Sequence, residues 1–278
     1  MYERIIVPLD GSHLAETALP YAEELAGRMA SEIVLFTVFE SAERGEYQQH
    51  QVYVKKVIED TEHRAGKYLK KPAMKPVKVG AATRVGYPAD GIVSYARKGS
   101  FKLIIMATHG RSGIGRWALG SVADKVVRAT TLQPLMLIRA KGAGANVSEK
   151  GLLKSALVTL DGSVRSQAVI PYIKELATKL KTKLTLFQAV PQNSHFYAEA
   201  ESYLAGIGSL LKSEGVRTRH VVRIGAAADE IINLADELNV DMVAMSTHGR
   251  SGISAWALGS VAQKVLMGGN TPLLLVKV

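Results

Sequence analysis

The chain has no cysteine among its 278 residues, which excludes disulfides, thiolate nucleophiles and thiolate metal sites together and fits a reducing compartment. Aromatic residues are scarce, at 6%. The densest basic clusters, Lys67–Lys78 and Lys174–Lys183, lack the interleaved rings on which single-strand binders stack bases, and read as solvated helix faces and loops. No apolar run approaches the roughly 18 residues needed to span a bilayer, and Met1, Glu3 and Arg4 lead into Ile5-Ile6-Val7 without an apolar stretch before a small-residue cleavage site. A soluble, cytoplasmic protein with no membrane partner is expected. There is also no G-x-x-x-x-G-K-[ST] stretch, no G-x-S-x-G elbow and no acidic cluster suited to two metals. A P-loop phosphotransferase is thereby excluded, and at most weak hydrolysis is expected.

Acidic residues number 25 against 35 Lys and Arg, a net charge of +10. That balance attracts polyanions over long range but names none. Association with nucleic acid is expected to be weak, salt-sensitive and not sequence-specific.

What the chain does have is repetition. Thr108-His109-Gly110-Arg111-Ser112-Gly113-Ile114 recurs as Thr247-His248-Gly249-Arg250-Ser251-Gly252-Ile253, and Trp117–Ala123 recurs as Trp256–Ala262. Internal repeats of this kind decide the architecture. Leu9-Asp10-Gly11-Ser12 matches Leu160-Asp161-Gly162-Ser163 at an offset of 151, whereas the later block matches at 139, so the first copy is longer by 12 residues in between. The extra length is expected around Ser41–Tyr53, as a polar surface loop or helix extension. Lys141–Asn146, rich in Gly and Ala, reads as a flexible linker. Two domains are expected, over 1–140 and 152–278.

Each copy alternates short apolar runs with helical patterns. Ile5–Leu9, Ile33–Phe39, Val77–Val79, Leu103–Ala107 and Leu135–Ile138 read as strands of the first copy; Leu157–Leu160, Leu184–Val190, His220–Ile224, Met242–Met245 and Leu273–Val276 read as strands of the second. Continuously apolar runs suit parallel strands covered on both faces. Leu14, Ala18, Tyr21, Ala22 and Leu25 recur at helical spacing behind Ser12, a suitable N-cap. The predicted fold class is α/β: two tandem Rossmann-like domains, each a five-stranded, parallel, doubly wound sheet with helices on both faces.

Ligands of such sheets bind beyond the carboxyl ends of the strands, at the switch point. The repeated residues fall there. Asp10 and Asp161 end strand one, and the Thr-His-Gly blocks follow strand four. Gly120-Ser121-Val122 and Gly259-Ser260-Val261 open helical patterns, where backbone amides, the helix dipole and a hydroxyl can meet a phosphate; a tight turn with an N-cap is the plainer reading of Gly-Ser taken alone. His109 and His248 either shape that loop or donate to the ligand. Arg111 and Arg250 either clamp a phosphate or face solvent, and Trp117 and Trp256 read as packing anchors.

These motifs resemble tandem universal stress proteins over nearly the whole chain. The family's pattern is Gly, two residues, Gly, nine residues, then Gly with Ser or Thr; here the later glycines are Gly110 and Gly120 with Ser121, and Gly249 and Gly259 with Ser260. Ala107 and Ser246 stand at the first glycine, a departure that narrows the space beside ribose or phosphates. The resemblance implies that Asp10 and Asp161 contact the nucleoside, and that Val38 and Ala189 offer backbone contacts to adenine. It further implies binding of ATP, or of AMP or ADP, with Mg²⁺ as a companion, in a stress-response regulatory role. It implies pairing of the final strands, so the two copies are expected to form an intramolecular pseudo-dimer, with homodimers of the chain beyond that. Separately expressed halves that stay monomeric at high concentration in the ultracentrifuge would count against that pairing. The alternatives are a nucleotide-free scaffold, or a slow ATPase of the adenine-nucleotide hydrolase-like group.

Overall fold

A computed structural model describes residues 2–41, 44–69, 76–109, 119–139, 151–192, 196–248 and 258–278. The chain divides into two compact units, Met1–Leu152 and Leu153–Val278. In the first, β1 (Arg4–Pro8), α1 (His13–Glu16), α2 (Leu19–Met29), β2 (Glu32–Phe39), α3 (Arg44–Gly66), β3 (Val79–Val85), α4 (Pro88–Lys98), β4 (Leu103–Ala107), α5 (Ser121–Ala129) and β5 (Leu135–Ile138) follow one another. Every strand pairing within this unit is parallel, in the order β3-β2-β1-β4-β5. The winding reverses at β1, and right-handed crossovers then place the helices before and after the reversal on opposite faces. Both faces of the inner strands are therefore covered, which is why β1 and β4 are buried along almost their whole length.

The second unit repeats the plan. β6 (Ser155–Thr159) leads through a 3₁₀ turn at Ser166–Val169 to α6 (Ile170–Leu180), then β7 (Lys183–Val190), α7 (Phe196–Ser213), β8 (Thr218–Ile224), α8 (Ala227–Glu237), β9 (Met242–Ser246), α9 (Ser260–Gly268) and β10 (Leu273–Val276). Its internal order is β8-β7-β6-β9-β10, again parallel. No described helix is long and apolar enough to cross a membrane.

Three expectations need correction. The third strand of the first copy is Val79–Val85 rather than Val77–Val79. It lies beside β2 at the end of the order, and its burial falls away along the strand until Thr83, Arg84 and Val85 are all exposed, so it lacks the continuous apolar run of an inner strand. The first crossover is two helices rather than one: Ser12 caps α1 as expected, its Oγ accepting the Ala15 amide at 3.2 Å, but α1 stops before α2 begins. Pro20 near the start of α2 has no N–H to return to the preceding turn, and Pro171 does the same in α6.

The extra length of the first copy is not confined to Ser41–Tyr53. Part of it makes α3 23 residues long against 18 for α7, and the larger part lies in the connection 67–78, which has only 214–217 as its counterpart. The linker Lys141–Asn146 lies outside the described residues.

Candidate functional site

Each unit carries a cavity at the carboxyl ends of its central strands. The path to it begins at the end of strand one. Gly11 has φ 82° and Gly162 has φ 83°, a conformation open to glycine at little cost. The resulting turn brings Ser12 back onto Asp10, whose Oδ1 accepts the Ser12 amide at 3.0 Å and the Ser12 hydroxyl at 2.6 Å. Asp161 repeats this with Ser163, at 2.9 and 2.6 Å. Two charge-assisted hydrogen bonds thus fix each carboxylate at the cavity wall.

Across the switch point, the segment after strand four is tied on both sides. The Thr108 amide donates to Ile138 at 2.9 Å, and the Gly120 amide donates to the Thr108 carbonyl at 2.9 Å. In the second unit, Thr247 donates to Val276 at 2.8 Å and Gly259 to Thr247 at 3.0 Å. These ties require glycine by close approach: a Cβ on Gly120 would lie 2.9 Å from the Thr108 carbonyl oxygen, and one on Gly259 would lie 2.5 Å from that of Thr247. The glycines serve first to seat the helix start against the loop. That position also leaves α5 and α9 without a side-chain cap. The amides of the first turn have no intrahelical partner, and Ser121 and Ser260 are exposed, with Val122 and Val261 half-buried on the cavity wall. Such a helix start suits an anion.

His109 and His248 are both 8% exposed. Each meets the hydroxyl of its preceding threonine through Nδ1, at 3.1 Å for Thr108 and 3.0 Å for Thr247. The histidines are therefore held as part of the loop, while both also line their cavities.

Ala107 and Ser246, at the family's first glycine, are 6% exposed and line the two cavities. The Ser246 hydroxyl donates to the His248 carbonyl at 3.0 Å, so it braces the loop from within. Val38 and Ala189 lie on the opposite wall, near the ends of β2 and β7. Gly110 and Gly249, with Arg111, Arg250, Trp117 and Trp256, lie outside the described residues.

Sequence reasoning missed one wall altogether. Gln49, His50 and Tyr53 of α3 line the first cavity, in a stretch read above as surface. The available signal was Tyr47, His50 and Tyr53 at a spacing of three, which puts three rings on one helix face.

The universal stress protein family matches residues 1–139 and 153–277. The chain belongs to that family, and carries its domain twice. A universal stress protein of Methanocaldococcus jannaschii is 29% identical over 105 residues, which cover 38% of this chain and 57% of that protein. This chain therefore spans little more than half the length of that relative. A universal stress protein of Synechocystis is 21% identical over 299 residues, covering 98% of this chain and 99% of the relative. The crystal structure of a universal stress protein from Archaeoglobus fulgidus superposes with a TM-score of 0.69 at 17% identity, over 99% of this chain and 96% of that one. The shared fold is thus the tandem Rossmann-like architecture.

Proposed function

We propose that each domain binds one adenine nucleotide across the carboxyl ends of its strands, and that the chain acts as a nucleotide-dependent regulatory protein of stress responses rather than as a fast catalyst. One observation carries this reading: in both domains a turn-locked carboxylate and a glycine-seated helix start line the same cavity. Their chemistry suits the two ends of a ribose phosphate. Asp10 or Asp161 would accept hydrogen bonds from ribose hydroxyls, the amides of Ser121 and Val122 or of Ser260 and Val261 would hold phosphate oxygens, and Gly110 or Gly249 would border the same phosphates. Val38 and Ala189 would lie beside the base. Mg²⁺ would accompany the phosphates of ATP as their counter-ion.

Mass spectrometry of the gently purified chain under native conditions should reveal co-purifying ATP, ADP or AMP. Protein that carries no nucleotide and takes up none on titration would favour a scaffold instead.

A milder test uses the carboxylates. Asp10→Ala or Asp161→Ala should weaken its own site by roughly 1 to 3 kcal/mol, the contribution of a charge-assisted hydrogen bond to a ribose buried by binding. Because Oδ1 also holds the Ser12 or Ser163 turn, the asparagine variants are the companion: they retain an acceptor for the turn and remove the charge. An intermediate affinity for Asp10→Asn in titration calorimetry would assign the remainder of the loss to charge.

A further inference from the structure

The two cavities differ. The first encloses about 760 Å³ and the second about 260 Å³, against the roughly 300 to 1,000 Å³ of small-molecule sites. Their walls differ as well, at the first turns of α3, which line the first cavity. His50, only 9% exposed, meets the Phe39 ring edge-on, with centroids 5.0 Å apart and planes at 89°. The Tyr53 ring stands 5.9 Å from His50, and its hydroxyl donates to Glu16 Oε1 at 2.8 Å. Glu16 belongs to α1, directly beyond the Asp10 turn, so this bond straps α3 across the ends of β1 and β2. Phe39, His50 and Tyr53 all line the first cavity; among the described residues no α7 side chain lines the second.

Position along the sheet gives this wall a meaning. The uncapped start of α5 stands on the β4 side of β1, Asp10 at β1 itself, and the rings at the end of β2 on the other side. A ligand with an anionic tail at α5 and hydroxyls at Asp10 therefore presents its far end to aromatic side chains. Flat π-faces are what such rings recognise, and stacking is worth most where water is excluded.

We propose that Phe39, His50 and Tyr53 form a ring-recognition subsite that, among the described residues, only the first domain carries, which makes the first site the tighter and more base-selective of the two. This rests on the nucleotide reading above and adds a division of labour: a site that retains its nucleotide beside one that exchanges it.

The test titrates the full chain, as parent, His50→Ala and Tyr53→Phe, with ATP and separately with inorganic triphosphate. The parent should show two ATP events at least about tenfold apart, by the range of base stacking energies. His50→Ala should weaken the tighter event roughly 5- to 100-fold, leaving the weaker event and the triphosphate affinity unchanged. Tyr53→Phe, which keeps the ring and loses only the strap to Glu16, should weaken the same event less, and it decides the matter alone if His50→Ala does not fold. Two equal events in the parent, equal losses for ATP and triphosphate in His50→Ala, or no change in Tyr53→Phe would overturn the subsite while leaving nucleotide binding intact. Absence of any ATP binding in the parent would instead remove the nucleotide reading, and the subsite with it.

Discussion

Isothermal titration of the full chain with ATP and Mg²⁺ is expected to give two binding events per chain, falling to one when either Gly120 or Gly259 is replaced by valine. The physical cause lies inside the protein before it reaches the ligand. A side chain at Gly120 would meet the Thr108 carbonyl oxygen at 2.9 Å and one at Gly259 would meet that of Thr247 at 2.5 Å, and both belong to threonines whose own amides are hydrogen-bonded to the sheet. Valine must therefore push the helix start away from the loop, taking the anion-facing amides with it. The overpacking should cost about 1 to 3 kcal/mol, with Gly259→Val the more severe because its approach is closer. Each change should abolish binding in its own domain and spare the other. A stoichiometry of one in the parent would mean that Ala107 or Ser246 has already closed a site. The bracing of the Ser246 hydroxyl onto the His248 carbonyl argues that the serine costs little space.

The inner strands were legible because burial on both faces leaves little choice of residue. Ile5–Leu9, Leu103–Ala107 and Met242–Met245 could be read as strands from their apolar runs, and strands lie there at Arg4–Pro8, Leu103–Ala107 and Met242–Ser246. β3 was misplaced because a strand covered less completely carries Thr83 and Arg84, residues equally at home in a loop. The duplicated motifs located both cavities, since a repeat compares the chain with itself. That same advantage fails where the copies differ. The α3 wall is not repeated by the described residues of α7, and its rings sit among glutamines and charged residues in a segment that looks solvated. The glycines were legible as sites of close approach, but their partner is the Thr-His backbone, a contact between positions 12 apart that no local pattern encodes.

Replacing Arg64 by methionine should lower the stability of the first domain by about 2 to 3 kcal/mol at neutral pH, and by less as the pH falls. Glu23 on α2 is 2% exposed and accepts a hydrogen bond from Arg64 Nε on α3 at 2.8 Å. A fully buried pair that loses one partner costs roughly 3 to 5 kcal/mol; the Arg64 side chain is 41% exposed, so water screens part of the attraction. Burial holds the Glu23 carboxyl above its ordinary value of 4.5, with Arg64 pulling it back and Asp60 pushing it further up. A carboxyl raised in the folded state binds its proton more tightly there than in the unfolded chain. Its contribution is therefore most favourable below about 4.5, and stability is lost as pH rises through the folded value. Removing Arg64 raises that value again and carries the loss to higher pH. Thermal melting between pH 4 and pH 8 should show parent and variant converging at the acid end and diverging above it. Glu23→Gln in the Arg64→Met background should remove that pH dependence, and a gap independent of pH would refer the loss to packing instead. The packing here is close, since a Cβ on Gly27 of α2 would strike the Ala65 carbonyl of α3. The pair thus anchors the far end of the helix whose first turns carry His50 and Tyr53. Arg64→Met should accordingly weaken ATP binding at the first site and leave the second unchanged.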